Sequence, residues 1–396
     1  TSLTAITTAA GNTAIGYAAG DSITTSGYNS LLGYQAGGAL AGGSGTNVAI
    51  GYQPLYSGTA NSYVVAIGSR AGYYSTANNN VYVGANAGRE SRAGGSQTYI
   101  GNAAGYYATG SYNTFVGQNA GKGGTTSAPF SSGEKNVAVG YGALDAFTTG
   151  FQNVAIGYDA GGAITTSHYN VLIGQDAGKS ITSGAGRSVL IGTFAGDAQT
   201  VSDYNVAIGY LAMSDNQVGS DNIAIGGAAG NKLLGPENVI VGTYAGDALT
   251  TSSGSVVIGN NALTTATTDK YGVAIGFEAM KLSPAGLALE NTIAIGYRAM
   301  YGSGNTTTGI AGNVAIGAAA GYTITSGGNN VFLGYNAAYN VTAGSKNVIV
   351  GRHAGNKLAS GSSDTYIGYS AGYYATGSYN TFVGSEAGQG GTTSAP

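Results

Sequence analysis

The chain of 396 residues has no cysteine, no tryptophan, two histidines, five prolines and few charges, with Asp, Glu, Lys and Arg together making up 8%. Without cysteine there are no disulfide frameworks, thiolate metal sites or cysteine nucleophiles, and the redox compartment stays open. Five prolines and no strict Gly-X-Y period exclude a collagen triple helix. The low charge, beside 43% apolar residues, also separates the chain from disordered polyelectrolytes, which lack the material for a core. A net charge of −3 offers nothing to a phosphate backbone or an anionic bilayer, so no nucleic-acid partner is expected. No run approaches the roughly 18 consecutive apolar residues of a membrane-spanning helix, so no membrane insertion is expected either.

Glycine is what the chain has most of, 72 residues, and it recurs with a period. Residues 153–169 read NVAIGYDAGGAITTSHY, and the next unit, NVLIGQDAGKSITSGAGR, begins at Asn170. The glycine after the apolar triplet recurs 22 times from Gly16 to Gly384, nearly always 16 to 18 residues apart. Spacings of 23, 20 and 21 end at Gly140, Gly296 and Gly317. Such a register predicts a solenoid in which each unit is one rung. The expected fold is all-β, a parallel β-solenoid or β-roll of about 22 rungs, forming one array over residues 1–396.

With the asparagine as position one and the anchor glycine as position five, each column has a role. Position four is Ile, Val or Leu in every unit, and position two is mostly Val. Strand alternation puts both on one face, expected to be the inner ladder, with position three on the other. Position eight is Ala in 21 of 22 units, with Pro54 the exception, which implies a corner with no room for more. Position nine is Gly in 15 units and otherwise Leu, Met or Ala. Glycine there suits a turn with positive φ, a requirement the Leu and Met units suggest is not absolute. Position one is Asn in 15 units, which stacking would turn into a hydrogen-bonded column. Asn153, Ile156, Gly157 and Ala160 form this expected structural ladder in one rung, and Asn170, Ile173, Gly174 and Ala177 in the next. After the corner, segments such as AITTSHY and ALTTSSG suggest a second strand and a turn, giving two or three strands per rung. Rungs about 4.8 Å apart would make a rod of roughly 100 Å.

Position three carries Ala14, Leu31, Tyr82, Tyr99, Phe115, Leu172, Ile240 and Phe332 among others, and never a charge. A strand apolar on both faces is expected to be covered on both. The cover is either another chain, with a homotrimeric fibre as the expected assembly, or a flattened coil's own second side.

The unit N-[VT]-A-I-G-Y-x-A-[GL] resembles the NTAIGYQAL-type repeats of bacteriophage tail fibres. It is nearest to them at Asn12-Thr13-Ala14-Ile15-Gly16-Tyr17 and at Asn47-Val48-Ala49-Ile50-Gly51-Tyr52-Gln53. It is similar, too, to the SVAIG motif in the YadA-like heads of trimeric autotransporter adhesins. The resemblance covers essentially the whole chain and implies a trimeric, adhesive shaft on a virion or cell surface. Two departures stand out: the adhesin repeat is shorter, and the C-terminal chaperone that often follows the phage repeats is not seen.

Residues 98–129 and 365–396 are a second, longer repeat, differing at five of 32 positions. This block duplication predicts a window on a longer array, an expectation that a capping domain directly after Pro396 would contradict.

Few residues suggest chemistry. His168 and His353 lack partners at metal-ligand spacing. Asp159, Asp176, Asp197 and Asp247 fall at position seven or ten without the GGxGxDx period of calcium β-rolls. No Gly-Lys-Ser/Thr follows a strand as in a phosphate loop. Neither an enzyme nor a cofactor is expected. Among the 30 tyrosines, Tyr17, Tyr34, Tyr52, Tyr141 and Tyr158 occupy position six, where aromatic rows pack on neighbours or meet sugar rings. Insertions over 122–135, 281–290 and 301–312 add Phe130 and Lys135 as candidate receptor or partner contacts. The expected partners are further copies of the chain and a host-surface glycan or protein. The expected function is a non-enzymatic structural and adhesive fibre shaft, most like a phage tail fibre, extracellular or on the virion surface. A bacterial cell-surface adhesin or extracellular filament is the alternative. Thr-Thr pairs at Thr24, Thr148, Thr165 and Thr250 raise an ice-binding solenoid as a third reading.

Overall fold

The structure, a computed structural model, describes residues 2–5, 7–124, 130–184, 186–200, 203–282, 289–302 and 310–390. The middles of the three insertions (125–129, 283–288 and 303–309) lie outside the described residues, as does the end of the second duplicated block, 391–396. The chain divides into two compact units, Thr1–Asp203 and Tyr204–Pro396. The first holds strands β1 (Thr13–Ile15) through β11 (Val189–Ile191), and the second β12 (Val206–Ile208) through β22 (Thr381–Val383). Every strand is three residues long and occupies positions two to four. Inside each unit, successive strands pair in parallel without slippage: Val154, Ala155 and Ile156 lie beside Val171, Leu172 and Ile173. Eleven rungs extend each unit by roughly 50 Å along its stack. The longer rungs keep this register, with Thr114 beside Val137, Val273 beside Ile293, and Ile293 beside Val314.

The expected inner and outer faces are reversed. Position three points into the coil, so that Leu31, Tyr82, Tyr99, Phe115, Leu172 and Phe332 are fully buried. Positions two and four face outward. Ile156 and Ile173 therefore sit on the outside of their rungs, Ile156 being 38% exposed. The anchor glycine decides this. Gly157 has φ +140° and Gly174 +135°, and this turn folds the following segment over the side on which position three lies. A Cβ on Gly157 would sit 2.4 Å from the carbonyl oxygen of Gly174, so the column admits only glycine. The alanines at position eight, including Ala160 and Ala177, close the corner from within and are fully buried. Position twelve completes the core with Ile23, Leu40, Phe147, Ile164 and Leu249. The position-three stripe is thus covered within each rung.

Each rung has one strand rather than two or three. The second segment is still bonded rung to rung, as Thr148 N–H donates to Thr165 O (2.8 Å) and Thr165 N–H to Thr182 O (2.9 Å). Among the described residues it forms only isolated bridges, such as Ala108 with Ser131.

Position nine is left-handed throughout, including where it is not glycine: Leu55 has φ +48°, Leu144 +52°, Met213 +51° and Met300 +48°. The requirement is therefore absolute, and these side chains bear strain of about 1–2 kcal/mol. Their compensation is volume. Leu55, Leu144, Met213, Met280 and Met300 share their rungs with Ala49, Ala138, Ala207, Ala274 and Ala294 at position three, and all are fully buried. Where position three is Leu, Ile or an aromatic, position nine is glycine except at Phe332, which is paired with Ala338; a Cβ on Gly88 would meet the Tyr82 ring at 2.3 Å. In these rungs the interior is filled once, from one side or the other.

Candidate functional site

The most extensive surface feature in each unit is the outward ladder at positions two and four. None of the 22 strands carries a charge at either position. In the first unit Leu32, Ile67, Ile100 and Ile156 are exposed, and in the second Ile225, Ile258, Ile316 and Leu333. In-register pairing makes position four a continuous row of Ile, Val and Leu and position two a row mostly of Val and Ile, interrupted by Ser30 and by threonines such as Thr98 and Thr114, a surface that water solvates poorly.

One side of this ladder is bounded by the asparagine column, buried and saturated with hydrogen bonds. Asn136 Oδ1 accepts from Asn153 N–H (2.9 Å), and Asn153 Oδ1 from Asn170 N–H (3.1 Å). Asn153 Nδ2 donates to Ser167 O (2.9 Å). The same pattern links Asn313, Asn330 and Asn347. Its polar atoms are spent on neighbouring rungs, which makes the column structural and leaves little for a ligand.

The other side, past the anchor glycine, carries the tyrosines of position six. Tyr17, Tyr34 and Tyr52 form one stack, with successive centroids 5.3 Å apart. Tyr141 and Tyr158 form another at 5.2 Å. All five are exposed, and the structure brings them together only in these two groups. Phe130 stacks on Tyr107 (6.0 Å) beneath the guanidinium of Arg92. Lys135 is exposed and lies elsewhere in its rung, immediately before the position-one Asn136, with φ +58°. That place is left-handed in rung after rung, including Tyr28, Tyr112, Tyr169 and Tyr379, which accounts for tyrosines turned outward there. Alternation cannot reveal such positions; the polar and tyrosine bias of the residue before position one is the only trace in sequence.

Among the described residues, shallow clefts occur where a column has a small residue between larger ones. One, of about 300 Å³, opens over Gly38 between Asp21 and Tyr56. The other, of about 280 Å³, opens over Ala318 and Ala319, with Tyr297 and Arg298 at one end and Tyr335 and Asn336 at the other.

Ionisable groups are few, and some of them form ion pairs. Lys179 Nζ bridges Asp159 (3.2 Å) and Asp176 (3.0 Å), whose rungs are adjacent. Glu278 holds Lys281 (2.7 Å) and Arg298 (2.6 Å), and their hydrogen bonds keep its carboxyl below the usual range despite its partial burial. His168 stacks on Phe151 (4.7 Å). His353 packs edge-on to Tyr335, and burial, aided by Arg352, lowers its pKa. Burial pushes Asp269 up to about 6 and the Tyr82 hydroxyl up to about 12. Among the described residues no three His, Asp or Glu side chains gather to hold a metal ion. No helix there is long and apolar enough to cross a membrane.

No family model matches the chain, and neither does any curated protein or solved structure.

Proposed function

We propose that the chain is a structural and adhesive fibre shaft, most like that of a phage tail fibre, in which three copies meet through their outward Val/Ile ladders. One observation carries this reading: the ladder is largely apolar, free of charge and at least half-exposed in both units. Burying a Val or Ile side chain contributes about 1.5–3 kcal/mol, so a row repeated over eleven rungs favours association strongly. A rotation axis parallel to the stack would set each rung against the same rung of its partners. With three chains, the narrow stripes close around a dry centre and leave the tyrosine corners outside for attachment. The activity is binding rather than catalysis, and the setting is a virion surface or another extracellular one. The resemblance of the repeat to tail-fibre sequences supports that setting.

The ice-binding reading is weaker. The hydroxyls of Thr24, Thr148, Thr165 and Thr250 all donate along the stack to the next rung's carbonyls, at 2.6 to 2.9 Å. Their protons are committed to the backbone rather than presented to a lattice of water.

Because the chain has no cysteine, the seam can be tested by single-site cross-linking. With Ile156→Cys, a short trifunctional maleimide should link three chains; with Thr165→Cys, on the other side of the rung, it should not. No linkage at 156, or equal linkage at both sites, would contradict the seam.

A further inference from the structure

The cleft over Ala318 and Ala319 follows from the repeat by subtraction. In the first unit, Tyr34 fills the space between Tyr17 and Tyr52, stacked at 5.3 Å on each side. In the second, Phe277 stacks on Tyr297 (5.7 Å), the next rung has Ala318 in the same column, and the one after has Tyr335. Two tyrosine rings therefore stand two rungs apart, about 10 Å, with no ring between them. The adjoining column at position seven is cut back in the same rung, reading Arg298, Ala319 and Asn336. The column at position ten is intact, and Tyr322 stacks on Tyr301 (5.1 Å) and on Tyr339 (4.8 Å) as a continuous side wall. The result is a notch the size of one six-membered ring, at the small end of ligand pockets.

The chemistry of the notch selects the ring. Its two ends are tyrosines, suited to the C–H faces of a flat ring. Its rim is polar. Arg298 gives its Nε–H to Glu278 (2.6 Å) and lies over Tyr297 and Tyr301, so its remaining amino groups are held in place, with no hydrogen bond to any described residue. The Asn336 carboxamide has no side-chain hydrogen bond to any described residue. An unsubstituted aromatic ring would leave both unpaired, whereas a ring with equatorial hydroxyls satisfies them.

We propose that this notch binds a single pyranose ring of a glycan, stacked between Tyr297 and Tyr335 and hydrogen-bonded by Arg298 and Asn336. The proposal rests on the adhesive part of the fibre reading and gives it a contact site.

The test is saturation-transfer NMR of the intact chain with methyl glycosides of glucose, galactose, mannose and N-acetylglucosamine. At least one should receive saturation. Ala318→Tyr, which completes the column as Tyr34 does, should abolish the signal, and Tyr335→Ala should weaken binding at least tenfold. Circular dichroism and solution mass of both variants should be unchanged. No transfer to any glycoside would overturn the proposal, as would transfer that survives Ala318→Tyr. Binding of p-cresol in place of every glycoside, lost in Ala318→Tyr, would also overturn it, as an aromatic site. Glycoside binding without attachment of the labelled protein to cells would fail the adhesive reading and leave the notch standing. Attachment unaltered by Ala318→Tyr would do the reverse.

Discussion

Asn170 donates both its main-chain N–H (3.1 Å) and its side-chain Nδ2 (2.9 Å) to the carboxamide oxygen of Asn153. A single buried oxygen thus satisfies two donors of the next rung, and the relationship recurs between Asn313 and Asn330. Replacing Asn153 by Ala leaves the main-chain N–H of Asn170 buried without a partner, while Nδ2 keeps its bond to Ser167 Oγ (2.9 Å), at a cost of about 1–3 kcal/mol. The effect should be local, because each rung touches only its neighbours. Amide exchange at Asn170 should accelerate about tenfold or more, while that of Asn313 stays unchanged.

The exchange of volume between positions three and nine can be tested within one rung. Ala138 and Leu144 share an interior that other rungs fill with Leu172 and Gly178. Leu144→Gly alone opens a cavity and should destabilise by about 2–4 kcal/mol, offset in part by relief of the left-handed backbone. Adding Ala138→Leu should recover at least half of that loss in urea denaturation. Additive losses in the double variant would contradict the complementarity.

Asp269 gives the second unit a pH dependence. Its rung has Gly272 where most have asparagine, and the carboxylate lies against that glycine, nearly fully buried. Its folded pKa of about 6 stands above the ordinary carboxylate value. The folded state therefore binds the proton more tightly, and stability is greatest below about pH 4 and falls as pH rises through 6. Burial raises Asp145 and Asp247 in the same direction. Asp269→Asn should stabilise the fold at pH 7 by an amount on the order of 1–3 kcal/mol, seen as a higher melting temperature, and flatten the profile between pH 4 and 6. A profile unchanged by the substitution would assign the dependence elsewhere.

Much of this architecture was legible in the sequence. The 17-residue period, the three-residue strand and the asparagine column follow from residue identities, as does the alanine corner. The orientation of the strand did not. Alternation says that Val154 and Ile156 share a face; it cannot say which face is inside when Ala155 and Leu172 are apolar as well. The answer lies in the φ of Gly157, a property of the corner rather than of the pattern. The left-handed state of Leu144 was hidden in a similar way, because its strain is set against a packing gain that only the folded rung reveals. The notch was legible in principle as two adjacent alanines, Ala318 and Ala319, between Tyr297-Arg298 of the preceding rung and Tyr335-Asn336 of the following one.

The outward ladder as a seam between chains is the central claim, and the solution mass of the purified chain by light scattering tests it most directly. A mass near three times 38.9 kDa that survives dilution is expected, falling toward one chain in an Ile156→Glu/Ile173→Glu variant that keeps its β-sheet signal. A stable monomer of 38.9 kDa at all concentrations would contradict it and leave the ladder a surface without a partner.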